Sequence, residues 1–443
     1  MNVAIETPVF KGHRLQRCID SVLYQSSPDW TFWLLWDGGD EQSRRILEDL
    51  QAQNHPQVNI FFAENRGIAR ARNFLSAHSK GDYILALDDD DALPFNAIER
   101  FLEAAAQKPW ASVIRAQRII MDDEGLIVDT PPWFPFEPRH YQLGMVTDIM
   151  NHTHPYLIRR SAYDRTSGWE GFEDFGFAGE DCDVYLKLEE QGTIELLPET
   201  LYYYRLHNQR ASLVLTDKGA YEMWRRLADK TIERIGLPLK RTNERPLFEY
   251  QKLARPEPTP DMVDVLTLPN DAASLDAAVR AGSRPLLLLV DQSLAAEAPG
   301  MLPRLLAELH RADADLASPR LLAPDGTVAW ADPAFEPDKR PVARGAGQAD
   351  QPQYHAVTPA RWLTEKLLLA RREVVRAVGG IDGGFADTHT AVVDFCLRAR
   401  QRQFTCSYLG NVAVNCGAAM GRTSDASLDR LQKKWAVYPQ LFA

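Results

Sequence analysis

The chain has 443 residues, 45% hydrophobic and 25% charged. These are ordinary values for a globular protein with material for two or three domain cores, and they exclude a mainly disordered chain. Lys plus Arg number 50 against 61 Asp plus Glu, a net charge of −11, which is the wrong sign for a general nucleic-acid binder and leaves anionic ligands dependent on a local Arg cluster or a metal ion.

The first ~115 residues alternate strand and helix signals. Residues 3–5 read as a strand and 15–24 as a helix with Leu15, Cys18, Ile19, Val22 and Leu23 on one face. Residues 30–36 are apolar at nearly every position, as in a strand buried on both faces, and run into the turn Asp37-Gly38-Gly39-Asp40. Then come a helix at 42–53, a strand at 58–62, a helix at 68–79, a buried strand at 83–87, four aspartates and a helix at 94–107. Repeated βα units of this kind imply a mostly parallel, doubly wound α/β sheet, whose ligands bind beyond the carboxyl ends of the strands. Residues 112–128 resemble a hairpin, and 131–136 a rigid aromatic loop. A helix start near Ser161, a Gly-rich turn at 168–179, a helix at 180–191, a strand up to Arg205 and a helix at 218–235 complete a first domain over 1–240. Residues 241–260, rich in Pro, Arg and Glu, read as a linker to a second domain over 261–443.

That second domain reads as a diverged copy of the first. Gly168 to Asp183 and Gly379 to Asp394 are equally spaced, Arg160 lines up with Arg371, residues 286–291 mirror 84–88, and 324–328 parallel 123–127. A period of roughly 200 residues is far too long for a solenoid.

No stretch approaches the ~20 apolar residues of a membrane helix, and residues 1–6 enter a strand without the features of a signal peptide. Five scattered cysteines form no CxxC pair. A cytoplasmic location, with peripheral contact at the inner membrane face, is the expectation.

Asp88-Asp89-Asp90-Asp91 is the sharpest chemical signal. Four carboxylates at the end of a buried strand repel one another, and a divalent cation with oxygen ligands, completed by a diphosphate, resolves the conflict. The competing account is a solvated acidic turn that caps the next helix. Asp37, also at a strand end, could accept from a nucleobase N–H where glycines permit close approach, or sit in an ordinary turn. Glu180-Asp181 open a helix whose positive end would stabilise carboxylates; there a carboxylate can act as general base or simply cap. His207 follows a strand and could ligate a metal or be structural. His152 and His154 form an HxH pair with zinc-like spacing, but no nearby Cys or Glu completes a site. Arg66, Arg70 and Arg72 put positive charge at a helix N-terminus, which suits phosphate or is plain helix surface charge.

Together these residues resemble family 2 glycosyltransferases of the GT-A fold. Thr7-Pro8-Val9-Phe10 resembles the family's opening strand, and Ser21 to Ser26 its "S-hydrophobic-x-x-Q" helix. Asp37-Gly38-Gly39 is similar to the "DDGS" turn, with Trp36 in place of the first Asp. Residues 67–73 resemble "G-x-x-x-ARN", and 81–91 "GDYIxxLDxDD", which contains the DxD motif. Glu180-Asp181 resembles the "ED" motif, and His207 the late His of "YRxH".

The resemblance implies a GT-A-type, Rossmann-like sheet with flanking helices, followed by a second, degenerate GT-A-like domain. It implies an inverting transfer from a nucleotide-sugar donor to a saccharide or lipid-linked saccharide acceptor, with Mn²⁺ or Mg²⁺ as cofactor. Thr7, Asp37 and Arg66 would bind the nucleotide base, Asp88 and Asp89 the rest of the nucleotide sugar, and Asp90 and His207 the metal. Asp181, beside Glu180, would be the catalytic base. The second domain has Asp291-Gln292-Ser293 at the DxD place, Ala391-Val392 at the ED place and no histidine after His389, so it is expected to be inactive. The rivals are a non-catalytic glycan-binding scaffold of two pseudo-transferase domains, and a sugar nucleotidyltransferase, which would carry a Gly-rich basic loop where 7–14 lacks one.

Overall fold

A computed structural model describes residues 1–130, 154–172, 179–206, 217–243, 249–417 and 420–442. Among them the chain forms two compact units, the first reaching Thr231 and the second starting at Ile232.

The first unit runs β1 (Val3–Val9), α1 (Leu15–Leu23), β2 (Trp30–Asp37), α2 (Glu41–Ala52), β3 (Val58–Ala63), α3 (Ile68–His78), β4 (Tyr83–Ala86), α4 (Ala97–Gln107), β5 (Ala111–Met121), β6 (Ile127–Asp129), β7 (Tyr156–Arg159), α5 (Arg160–Tyr163), α6 (Glu180–Glu189), β8 (Thr193–Arg205) and α7 (Asp217–Ile235), the last crossing into the second unit. The helices form where the apolar spacing asks for them: α1 buries Leu15, Cys18, Ile19 and Val22 on one stripe, and Asp40 caps α2 by accepting from the Ser43 N–H. β2 buries Trp30, Phe32, Leu34 and Leu35 but leaves Trp33 and Trp36 half-buried. Trp33 lies on the α3 face with Phe61 and Phe74, and Trp36 on the opposite face, against the α1 and α2 side.

The described strands of this unit form one sheet in the order β3-β2-β1-β4-β7-β5-β6, with β8 also paired to β5. β1, β2, β3 and β4 are mutually parallel, as are β5 and β8, while β7 runs antiparallel between β4 and β5. One core packs α1 and α4 on the sheet around Ile5, Phe32, Leu85 and Phe101. Another, on the other face, gathers Ile84, Tyr156, Ile158, Trp169 and Tyr185 beneath α6.

The second unit contains the small pair β9 (Leu239–Arg241) and β10 (Tyr250–Lys252), then β11 (Val263–Thr267), α8 (Ala272–Ala281), β12 (Leu286–Val290), α9 (Ala298–Arg311), β13 (Leu316–Leu322), β14 (Val328–Trp330), the pair β15 (Pro333–Phe335) and β16 (Pro341–Ala343), β17 (Val357–Pro359), β18 (Leu367–Arg371), α10 (Arg372–Val378), α11 (Thr388–Gln401), β19 (Cys406–Asn415) and α12 (Asp425–Lys434). Its main sheet has the order β11-β12-β18-β13-β19-β17, with β14 on β13. This repeats β1-β4-β7-β5-β8, with β6 on β5, pair by pair and direction by direction. Among the described residues nothing corresponds to β2 or β3: the sheet ends at β11.

Side-chain networks recur with the strands. In the first unit Lys187 and Lys230 both pair with Glu170 and Asp183. In the second, Lys434 bridges Asp382 (2.8 Å) and Asp394 (3.0 Å), and Arg398 pairs with Asp394. The arginine correspondence shifts by one residue from the spacing in the sequence. Arg160 matches Arg372, not Arg371, because each closes its backbone N–H on the residue that precedes the central strand: Asp82 O at 2.9 Å and Pro285 O at 2.8 Å.

Candidate active site

β1, β2 and β4 run parallel, so their carboxyl ends open on one edge of the sheet, where ligands of such sheets bind. The acidic run follows β4 there. Carboxylate oxygens of Asp88, Asp90 and Asp91 lie within 4.8 Å of one another. Asp88 faces Arg72 of α3, Oδ1 to Nη2 2.6 Å. Burial pushes the Asp88 carboxyl up, but Arg72 outweighs it and holds the group below its ordinary range. Arg72 is 2% exposed, lies 4.9 Å from the Trp169 ring centre and stands 3.6 Å from Glu180 Oε1. Its Nε and Nη1 are buried without a hydrogen-bond partner.

The neighbours of Asp88 are held differently. Asp89 accepts from the Phe10 and Lys11 N–H groups (2.8 and 3.0 Å), tying the end of β1 to the acidic run; burial and the Asp90 charge push its carboxyl up to about 7. Asp91 is buried and accepts from the Arg205 N–H at 2.7 Å. Burial, with the charges of Asp90 and Asp88, pushes it well up, and its Oδ2 has no hydrogen-bond partner. Crowded carboxyls forced toward the neutral form, with an orphaned buried oxygen among them, fit a hard divalent cation, whose charge would reverse both effects.

Asp37 ends β2. Its two oxygens accept from the N–H groups of Arg66 (2.9 Å) and Gly67 (3.1 Å), so it caps the start of α3, and burial raises its pKa. Gly38 holds φ +68°, and a Cβ there would lie 2.6 Å from the Asn65 nitrogen. Arg66 meets Asp37 through its backbone, while its guanidinium lies 4.9 Å over the Phe74 ring. Thr7 is fully buried in β1 with an unpartnered Oγ1. Trp36 is turned toward α2, its Nε1 donating to Ser43 Oγ at 3.1 Å.

Glu180 and Asp181 occupy the first turn of α6 behind Gly179, which takes φ +86°. Glu180 is buried; burial first, then the Asp181 charge, push it up to about 8, so it keeps its proton at neutral pH. Asp181 is half-buried, with Oδ1 accepting from its neighbour's N–H (Cys182, 2.7 Å). The site thus pairs one protonated and one differently placed carboxyl across Arg72 from the acidic run.

His207 and His152 lie outside the described residues. Arg205, two residues before His207, is fixed to the site: its Nε donates to Asp90 O (2.9 Å) and its Nη1 to Asp122 O and Asp123 O (2.9 and 3.0 Å). His154 is buried in the site, with Nδ1 3.1 Å from Tyr185 Oη and its ring stacked on Tyr202. Sequence reasoning set His154 in a zinc-like pair and took Arg72 for one of three helix-end charges. It did not select Tyr202 or Arg205, although both belong to the YYYR run before His207.

Residues 7–166 match the family described as glycosyl transferase family 2. The chain is 27% identical over 258 residues to a chondroitin synthase of Escherichia coli, covering 57% of this chain and 36% of that protein. It is 32% identical over 213 residues to a hyaluronan synthase of Pasteurella multocida, covering 48% of this chain and 21% of the other. The O-antigen biosynthesis protein RfbC of Myxococcus xanthus is 22% identical over 463 residues, 86% of this chain and 35% of that one. The chain therefore spans well under half the length of these relatives. A crystal structure of S. aureus TarS 1-349 in complex with UDP aligns with 52% of this chain and 65% of its own, at 16% identity and a TM-score of 0.39.

Proposed function

We propose that this protein, whose residues 7–166 belong to glycosyl transferase family 2, transfers a sugar from a nucleotide-sugar donor to a saccharide or lipid-linked saccharide acceptor, inverting the anomeric carbon, in the synthesis of a surface polysaccharide or glycoconjugate. Relatives named as chondroitin and hyaluronan synthases and as an O-antigen biosynthesis protein support that product class. The observation that carries the reading is the gathering of Asp88, Asp90 and Asp91 at the strand ends, facing Glu180 across the buried Arg72. A scaffold protein would have no need to keep so many carboxyl groups in mutual repulsion.

In this reading Thr7, Asp37 and the Arg66 segment receive the base, and Asp88 and Asp89 the remainder of the nucleotide sugar. Asp90 and His207 would hold Mn²⁺ or Mg²⁺. When bound, the ion supplies positive charge against the departing diphosphate. Arg72 keeps Asp88 ionised. Asp181 takes the proton from the attacking acceptor hydroxyl. Glu180, still protonated near pH 7, can donate a hydrogen bond beside it. The catalytic domain is assigned to 1–240, joined through 241–260 to a domain over 261–443 without turnover. No helix among the described residues is long and apolar enough to cross a membrane; membrane contact, if the acceptor is lipid-linked, would be peripheral and on the cytoplasmic side.

A thermal-shift screen of UDP, GDP, dTDP and CMP, each with and without Mn²⁺, tests this reading. One nucleotide should raise Tm in a Mn²⁺-dependent way, since a ligand stabilises the state it binds by mass action. No shift with any combination would contradict it.

A further inference from the structure

The acidic run is fastened to β8 through the main chain. Ala92 and Tyr203 exchange both backbone hydrogen bonds, at 3.2 and 2.8 Å. Two residues on, the Arg205 N–H reaches Asp91 Oδ1 (2.7 Å) and its Nε reaches Asp90 O (2.9 Å). From the same guanidinium, Nη1 spans to Asp122 O and Asp123 O (2.9 and 3.0 Å), in the turn between β5 and β6. Arg205 is 3% exposed. One buried side chain thus ties the acidic run to that turn through main-chain carbonyls on both.

The second unit shows what this side chain is not needed for. β5 and β8 pair as far as Met121↔Arg205, and β13 and β19 as far as Leu322↔Asn415. The next N–H closes on the same strand end in each unit: Leu206 on Met121 O at 2.8 Å, Cys416 on Leu322 O at 2.6 Å. Asn415 therefore stands where Arg205 stands, and it is exposed. The adjoining turns are alike. Asp122 N–H donates to Leu126 O and Gly125 N–H to Asp122 O, as Ala323 N–H donates to Thr327 O and Gly326 N–H to Ala323 O. The turn forms without an arginine, so the turn does not account for Arg205. Stability does not account for it either. Burial first, then the charges of Arg17 and Arg14, disfavour its charged form, and taking a cation out of water is costly. What the first unit holds beside that turn, and the second lacks among its described residues, is the gathering of Asp88, Asp90 and Asp91.

We propose that Arg205 is a positioning residue for the donor site: it fixes the main chain of Asp90 against the β5–β6 turn, so that the carboxylates of the run project where a metal–diphosphate ligand can use them. The inference rests on the donor-site reading above. A planar guanidinium addresses both segments at once through separate donors at fixed angles, whereas an ammonium is one point on a flexible stem. Arg205→Lys therefore keeps the charge and removes the bridge.

The test uses the full chain. Calorimetry measures UDP, GDP, dTDP and CMP in turn, in MnCl₂ and in EDTA, for the unaltered protein and for Arg205→Lys. For the tightest nucleotide we expect Arg205→Lys to remove ~10-fold or more of the affinity gained from MnCl₂, the usual worth of hydrogen bonds made by a charged group, and to leave the affinity in EDTA unchanged. A gain from MnCl₂ as large as in the unaltered protein, or equal losses with and without MnCl₂, would overturn the inference while leaving the donor-site reading intact. No binding by the unaltered protein, or no gain from MnCl₂, would overturn both. A second measurement needs no variant, and serves where Arg205→Lys does not fold or binding in EDTA is too weak to measure. In the unaltered protein, exchange of the Gly125 and Leu126 amides should slow when MnCl₂ and that nucleotide are added, because coupling between the turn and the run is reciprocal. Unchanged exchange at both amides would overturn the inference.

Discussion

The two units share a scaffold and differ at its edge. Both carry the strand sequence β1-β4-β7-β5-β8 or its counterpart, a Gly-containing hairpin turn at Gly125 or Gly326, and a buried lysine–carboxylate network behind the helix that follows the Gly-rich turn. Among its described residues the second unit lacks β2, β3 and the turn that carries Asp37, together with the carboxyl crowd and the pair at the start of α6. Its charges are matched instead: Asp291 with Lys366, Asp382 with Arg430 and Lys434, Glu365 with His389. A fold can thus be retained through its buried ion pairs while the groups in mutual repulsion, which stability alone would remove, persist, among the described residues, only in the first unit. Unrelieved repulsion marks the functional edge better than the number of charged residues does.

The largest expected effect separates the helix starts that carry Asp181 and Val392. Asp181→Asn should lower the transfer rate by ~10²–10⁴-fold, the usual worth of a general base, with nucleotide affinity unchanged in calorimetry. Nucleotide affinity lost in parallel would make Asp181 a donor ligand. Val392→Ala, at the matching position, should leave the rate alone.

A smaller effect should follow at the shared networks. Lys434→Met leaves the buried Asp394 short of a partner, and breaking a buried pair costs ~3–5 kcal/mol; denaturant unfolding should show a loss of that order. Lys230→Met should cost clearly less, because its side chain is 35% exposed and solvent screens the pair. Equal losses would contradict the view that the second unit depends more heavily on this network.

The smallest effect is on pH dependence. Glu180 titrates near 8 in the folded protein against an ordinary 4.5. Between those values the unfolded chain gives up a proton that the folded chain keeps, so stability falls as pH rises from about 4.5 to 8. Glu180→Gln should flatten that decline, read by amide exchange in α6. Asp382 and Asp387 are held below the ordinary range, by their cationic and hydroxyl or N–H partners respectively, against burial. Their contribution is present above about pH 4 and lost as pH falls, and Glu180→Gln should not change it. A decline around α6 that persists in the variant would relocate the proton to another group.

Much of the first unit was legible because local pattern and tertiary context agree. The 3.6-residue spacing of α1, the apolar runs of β2 and β4 and the Gly38 turn each specify their element without help from distant residues. The acidic run, Asp37 and the Glu180-Asp181 pair stood out because carboxylates at strand and helix ends are locally unusual. Arg72, Asp91 and His154 could not be ranked from sequence: their importance lies in what α3, β8 and β7 bring against Asp88, and register is a property of the sheet. The shift from Arg371 to Arg372 has the same origin. Counting from a glycine cannot register that the stretch from the arginine to that glycine is one residue shorter in the second unit, 372–379 against 160–168, whereas the backbone hydrogen bond to Pro285 does.

The central claim is that one edge of one unit binds the donor. Calorimetric titration of the full chain with Mn²⁺ and the stabilising nucleotide tests it most directly, performed on the unaltered protein and on Asp90→Ala. The account predicts one site per chain, absent in Asp90→Ala, with the circular dichroism spectrum unchanged. A stoichiometry of two, or a site that survives Asp90→Ala, would contradict it.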